Sequence, residues 1–298
     1  MRRSRLKLPA DQRSHRLDFE AIGTHWQIDT VDPVEDAARG AIEDHVERYD
    51  RAWSRFRSDS LVSRIGERAG RWILPDEAGE LFELYRGLYL ATGGAMSPLV
   101  GRSLDAIRYD REYSLRPSGS PVAAPTWDEA VAWDGEALTT LRPVRLDIGA
   151  AGKGHLVDLV GAVLQDAGHS QFVIDASGDI RHWGADVLRI GLEDPRDVTR
   201  AIGIARISDA AICSSATNRR QWAPGLHHVV DAMTGLPTST IVATWAIAPT
   251  ALAADGLATA LFFADPAQLS KLFDFRWVRM NAAGRVEFSP DLDGELFT

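Results

Sequence analysis

The nine residues Leu146-Asp147-Ile148-Gly149-Ala150-Ala151-Gly152-Lys153-Gly154 restrict this 298-residue chain more than any other stretch. An apolar run carries a carboxylate, glycines let the backbone approach a neighbour closely, and a lysine stands where a helix begins. Leu156, Leu159, Val160, Val163 and Leu164 then keep the 3.6-residue period of an amphipathic helix as far as Gly168. Gln171-Phe172-Val173-Ile174-Asp175 reads as a strand. The local unit is therefore strand end, glycine loop, helix, strand, and the helix start offers an anion its unpaired N–H groups.

Two familiar nucleotide loops are excluded by spacing. A Walker A loop needs four residues between its glycines and a Ser or Thr after its lysine, whereas two residues separate Gly149 from Gly152 and Gly154 follows Lys153. No G-x-G-x-x-G is present, so a Rossmann fingerprint fails as well. A formal net charge of −9 argues against a nucleic-acid surface, because phosphate-backbone binding rests on clustered positive charge. An anionic ligand would need a bound cation or backbone N–H groups to help it.

The remaining punctuation indicates one mixed domain. Asp32-Pro33-Val34-Glu35 offers an N-cap, a proline at the first helical position and a glutamate at the third. Ala38, Ile42, Val46, Tyr49 and Trp53 carry the apolar face of the helix that follows. A second helix is expected from Asp76 through Leu81, Leu84, Leu88 and Ala91, stopped by Gly93-Gly94, and residues 115–126 read as a loop. Short strands are expected at residues 187–190, 201–207, 228–230 and 241–248, and a closing hairpin at 276–280 and 285–288. Helices mixed with short, mostly antiparallel strands give an α+β fold, with residues 1–18 as a flexible tail and 19–298 as a single domain. The basic N-terminus lacks the apolar run of a signal peptide, and no apolar stretch is long enough to span a bilayer. A cytoplasmic protein without membrane insertion is expected. The lone Cys213 can form no intrachain disulfide and reads as a small buried hydrophobe.

Three further clusters bear on chemistry. Asp255 and Thr259 stand four residues apart in the apolar helix expected from the Thr250 cap to Phe263, so they share one face and present hard oxygens suited to Mg²⁺. His227-His228-Val229-Val230-Asp231 reads as a strand, whose period of two admits at most one of the histidines to a given pocket. Trp53-Ser54-Arg55-Phe56-Arg57-Ser58-Asp59-Ser60 places aromatic and polar groups just past a helix, as in a cover over a planar ligand. Ser177-Gly178-Asp179 follows a strand as a turn or a ligand-facing loop.

Taken in order, these motifs resemble the ApbE family, the FAD:protein FMN transferases. The resemblance spans residues 20 to 264. It runs through Ile22-Gly23-Thr24, Ser54-Arg55-Phe56 with Asp59-Ser60, residues 146–154 with Asp158 beyond them, Ser177-Gly178-Asp179, Ser214-Ser215-Ala216, residues 228–237 and Ala254-Asp255-Gly256-Leu257-Ala258-Thr259. It implies an ApbE-like fold and FAD as substrate. In the implied reaction an acceptor flavoprotein's Ser or Thr hydroxyl attacks the riboflavin-side phosphorus, and AMP departs. Asp255 and Thr259 would bind Mg²⁺ with the carbonyls of Ala150 and Ala258, and His228 would be the base with Asp231 as its support. Ile22, Phe56, Asp147, Lys153, Val229 and Tyr109 would line the FAD site, with residues 104–109 near the adenosine. The chain departs from the family pattern at Ser97, where a carboxylate is usual, at Ala232, where a proline is usual, and at Ala216, where a glycine is usual. Mg²⁺-dependent hydrolysis of FAD to FMN and AMP, and a non-catalytic FAD-binding protein, are the alternatives.

Overall fold

The computed structural model describes residues 15–115 and 120–297. Its spine is an eight-stranded antiparallel sheet. The strands are β1 (His15–Ala21), β2 (Thr24–Thr30), β3 (Phe172–Asp175), β4 (Asp179–Trp183), β5 (Ala211–Ala216), β6 (Ile241–Ala248), β7 (Arg276–Asn281) and β8 (Val286–Phe288). They lie side by side in chain order. The sheet is thus one long meander, and apart from the C-terminal strand Gly294–Leu296 the other described elements lie in excursions between consecutive strands. The excursion from β2 to β3 carries α1 (Asp36–Trp53), α2 (Ala78–Ala91) and α3 (Gly152–Asp166), and the one from β6 to β7 carries α4 (Ala251–Ala260).

Side-chain alternation explains why both faces of this sheet are covered. Along β6, Ala246 and Ala248 face the helices, while Ala243, Trp245 and Ile247 face a second sheet formed by Leu188–Asp194, Asp197–Ile207 and Gly294–Leu296. A strand buried on both faces reads as a continuous apolar run. On the helical side, the small residues Ala211, Cys213 and Ala246 let α3 and α4 approach, and Cys213 is fully buried as expected.

Several boundaries differ from the sequence reading. Residues 15–18, assigned to the flexible tail, are the first part of β1 and pair with β2; residues 1–14 lie outside the described residues. Helix α1 starts at Asp36, because the Thr30 hydroxyl donates to the Asp32 carbonyl at 2.7 Å and keeps that segment non-helical. Residues 146–148 belong to no strand. The Asp147 N–H donates to the Pro98 carbonyl (2.8 Å), and the Gly101 N–H to the Arg145 carbonyl (3.1 Å). Helix α2 ends as expected, with Gly93 and Gly94 both in the left-handed region (φ 60° and 92°). Of the loop expected at 115–126, residues 116–119 lie outside the described residues, and 120–126 are irregular. No helix among the described residues is long and apolar enough to cross a membrane.

Candidate active site

The glycine loop is built by its own backbone. The N–H groups of Ala151 and Gly152 donate to the Ile148 carbonyl (3.1 and 2.7 Å), and the Gly149 N–H donates to the Asp147 carboxylate (2.7 Å). Tyr49 of α1 donates its hydroxyl to the Gly152 carbonyl at 2.8 Å, which ties the loop to a second helix. Immediately beyond, α3 meets α4 without clearance. A Cβ at Gly154 would lie 2.1 Å from the Ala251 carbonyl oxygen and 2.7 Å from the Asp255 Cβ, so only glycine fits. That approach lets the Gly154 N–H donate to the Asp255 carboxylate (2.9 Å), and one turn along the Thr259 hydroxyl donates to the Ala150 carbonyl (3.3 Å).

Oxygen donors gather where the helices touch. Asp255 is buried, and burial followed by the nearby charge of Asp179 raises its carboxyl well above the usual carboxylate range. Neither carboxylate oxygen of the buried Asp179 has a well-directed hydrogen bond among the described residues, although Lys153 Nζ lies 2.5 Å from one of them. Burial opposes the charge of Lys153, but Asp179 and Asp255 outweigh it and raise the lysine above its usual value. Lys153 also donates to the Ala176 carbonyl (2.9 Å). Two buried carboxylates against one ammonium, beside the Thr259 hydroxyl and the Ala150 carbonyl, form a hard-oxygen set that fits a divalent cation such as Mg²⁺. The Ala258 carbonyl is turned the other way, where it accepts the Thr244 hydroxyl at 2.6 Å.

A cavity of about 770 Å³ opens over this array. Ile22, Phe56, Tyr109, Asp147, Ala150, Lys153, His228, Val229 and Thr259 all line it, so nine of the expected site residues converge from six segments of the chain. Leu104 and Tyr109 bring the 104–109 segment to its wall. Asp255 and Ala258 lie behind the wall, and Asp231 is not part of it.

Opposite the helices the wall is aromatic. Phe56 stacks on Tyr113 (4.9 Å between ring centroids, 17° between planes) and Tyr109 on Trp222 (5.6 Å, 13°), with Phe56 edge-on to Tyr109. Arg55 holds this wall to the glycine loop. It pairs with the Asp147 carboxylate, bonds Asp105 (3.2 Å) and the Tyr109 carbonyl (2.6 Å), and lies 4.3 Å over the Phe56 ring. Arg220 donates to the Tyr109 hydroxyl at 2.8 Å. Arg55 stood in the sequence reading only as a member of the run 53–60, without a role of its own, and Arg220, Trp222 and Tyr113 were not singled out; for Arg220 and Trp222 the basic and aromatic run Arg219-Arg220-Gln221-Trp222 was the available signal.

The two histidines part company. His227 is structural, its ring bonding the Thr238 carbonyl (2.8 Å) and the Val229 N–H (3.2 Å). His228 faces the cavity, and its Nδ1 has no partner among the described residues. Burial, then the positive charge of Arg220, lowers His228 to about 3. The expected strand 228–230 is broken at this point. Leu226–His227 pairs with Gln221–Ala223, Val230–Asp231 pairs with Leu236–Pro237, and residues 228–229 lie between the two ribbons. Asp231 does not support His228: its carboxylate accepts the Met233 N–H at 2.8 Å and caps its own turn, as short acidic side chains readily do. The departures also acquire places. Ser97 lines the cavity and accepts the Leu99 N–H (3.2 Å), and Ala232 donates its N–H to the Ala95 carbonyl (2.8 Å), a bond that a proline could not make.

Comparison with known proteins bears on the family and the fold. The model of the ApbE family matches residues 22–281. The FAD:protein FMN transferase of Klebsiella pneumoniae is 24% identical over 282 residues, covering 84% of this chain and 78% of that protein. The Escherichia coli K12 protein of the same name is 23% identical with the same coverage. Among solved structures, the flavin transferase ApbE from Vibrio cholerae (20% identity, TM-score 0.76) and the ApbE protein from Thermotoga maritima (21%, 0.77) each cover 93% of this chain and are covered to 97%.

Proposed function

Because the chain belongs to the ApbE family, we propose that it is a Mg²⁺-dependent FAD:protein FMN transferase, moving FMN from FAD to a Ser or Thr hydroxyl of an acceptor flavoprotein and releasing AMP. The observation that carries this reading is the convergence, around one cavity, of the Ala150 and Thr259 oxygens with Asp255 behind them, the His228 ring with its unpartnered Nδ1, and an aromatic wall.

Each part has a task. The aromatic rings and Arg55 offer flat faces to the planar ends of FAD. Asp255, Thr259 and the Ala150 carbonyl would hold Mg²⁺, with Asp179 and Lys153 beside them; when bound, the cation supplies charge neutralisation at the pyrophosphate. His228 takes the acceptor hydroxyl's proton as that oxygen bonds to the riboflavin-side phosphorus and the bond to the AMP oxygen breaks. Its neutral ring is ready to accept a proton; burial is the main cause of its weak basicity, and an anion seated beside Arg220 would offset the second cause, the cationic field of that arginine. Ala258 stands outside this ligand set, its carbonyl being used by Thr244, and Asp231 stands outside the catalytic pair.

The test is to incubate the protein with FAD, MgCl₂ and a Ser/Thr-containing acceptor protein, following FMN attachment by mass and AMP by chromatography. Labelled acceptor with equimolar AMP is the expected result. FAD consumed without labelling would make the protein an FAD pyrophosphatase, and neither event would leave a flavin-binding protein. Asp255→Ala should abolish metal-dependent turnover in a chain that still folds.

A further inference from the structure

Asp158, on α3, has no part in the mechanism above, yet it is a partly buried carboxylate with both oxygens in use. One accepts the Ala251 N–H at 3.0 Å and the other the Leu252 N–H at 2.8 Å. These are the first two N–H groups of α4, the next being taken by the Thr250 hydroxyl (3.2 Å). The open end of the helix that carries Asp255 and Thr259 is therefore closed mainly by a residue of another helix, where a neighbour in the chain would ordinarily serve.

The spacing gives this bond its meaning. Ala150 meets Thr259, Gly154 meets Asp255, and Asp158 meets Ala251, so three rungs join the two segments in antiparallel register at intervals of four residues, about one helical turn each. Two rungs belong to the cation array. The third lies a turn beyond it and alone uses a bidentate carboxylate. Burial raises Asp158 to about 6 in spite of its two N–H partners, so ionisation here costs energy that a cap on the surface would not incur.

We propose that Asp158 is a positioning residue for the divalent-cation site: by fixing the register of α4 against α3 it sets Asp255 and Thr259 opposite the Ala150 carbonyl. The site's affinity for the cation thus depends on a group that never touches it. The inference rests on the cation-site reading made above.

The test compares Asp158→Asn and Asp158→Ala with the unaltered protein. Asp158→Asn keeps the shape and one acceptor oxygen, so it remains informative if the alanine variant fails to fold. Mn²⁺ binding, followed by calorimetry, should weaken about 10- to 100-fold, as for groups that orient metal ligands. FAD binding in EDTA, followed by flavin fluorescence, should be unchanged, and the Gly154 amide should exchange faster with solvent. Unchanged Mn²⁺ affinity in a folded variant would overturn the proposal, as would equal losses of Mn²⁺ and FAD binding, which would mean general damage. If the unaltered protein binds no Mn²⁺, the cation-site reading fails and the assignment of Asp158 to that site falls with it. The Gly154 exchange rate would then report only whether the rung sets the helix register.

Discussion

The two walls of the cavity are made in opposite ways. The helical wall is backbone against backbone: Gly154 admits α4 to within van der Waals contact, and carbonyls, N–H groups and short side chains complete it. The aromatic wall is side chain against side chain. Phe56 stands just past α1, Tyr109 and Tyr113 share one irregular segment, Trp222 sits on the short strand Gln221–Ala223, and they are locked through Arg55 and Arg220. A small ion demands fixed oxygens within narrow limits, whereas a flat ring tolerates some sliding over another flat ring. The contrast teaches that tolerance to substitution should differ sharply between the two sides.

The largest effect is expected from Gly154→Ala. The added methyl would meet the Ala251 carbonyl at 2.1 Å, so the helices must separate, costing about 3 kcal/mol of stability by overpacking. Thermal denaturation and cation-dependent turnover would both register the change; a variant of normal stability and activity would show the helical wall to be as forgiving as the aromatic one. His228→Gln comes next, with turnover falling about 100- to 10,000-fold for loss of a general base. The pH dependence sharpens this assignment. His228 works unprotonated and is protonated only as pH falls through about 3. Removing it should therefore abolish no acidic limb near pH 6.5 in kcat/KM; a limb there that disappears in the variant would show a ring far less perturbed. The smallest effect is that of Trp222→Leu, which removes one stacked pair worth about 1 kcal/mol and should weaken FAD binding roughly tenfold or less. A loss as large as that at Gly154 would erase the distinction between the walls.

The same contrast governs what could be read from the chain. The helical wall was legible because its parts are local: glycine spacing, a period of 3.6 residues, and an Asp and Thr one turn apart. Those residues signal their geometry through backbone demands that few other residues meet. The aromatic wall was legible only in part. Phe56 stood out in the aromatic and polar run past α1 and Tyr109 entered through family resemblance, while Arg55 and Trp222 act through partners far away in sequence, to which periodicity is blind. The broken strand at His228 shows a different limit. Alternation describes a strand with one partner, but this segment changes partner between His227 and Val230, and the change is what turns His228 toward the cavity. Asp231 failed as a support because its own turn offered a nearer N–H donor.

The meander order of the main sheet bears on how the molecule assembles. Pairing β2 with β3 closes a loop over residues 31–171, whereas the pairs β1–β2, β3–β4 and β7–β8 close over a few residues each. Pairings of high sequence separation form late, since chain entropy is spent before the contact rewards it. The strand junction beside the glycine loop should accordingly be among the last to zip, so that α1 to α3 collapse before the sheet joins into one piece and the cavity is completed at the end of folding.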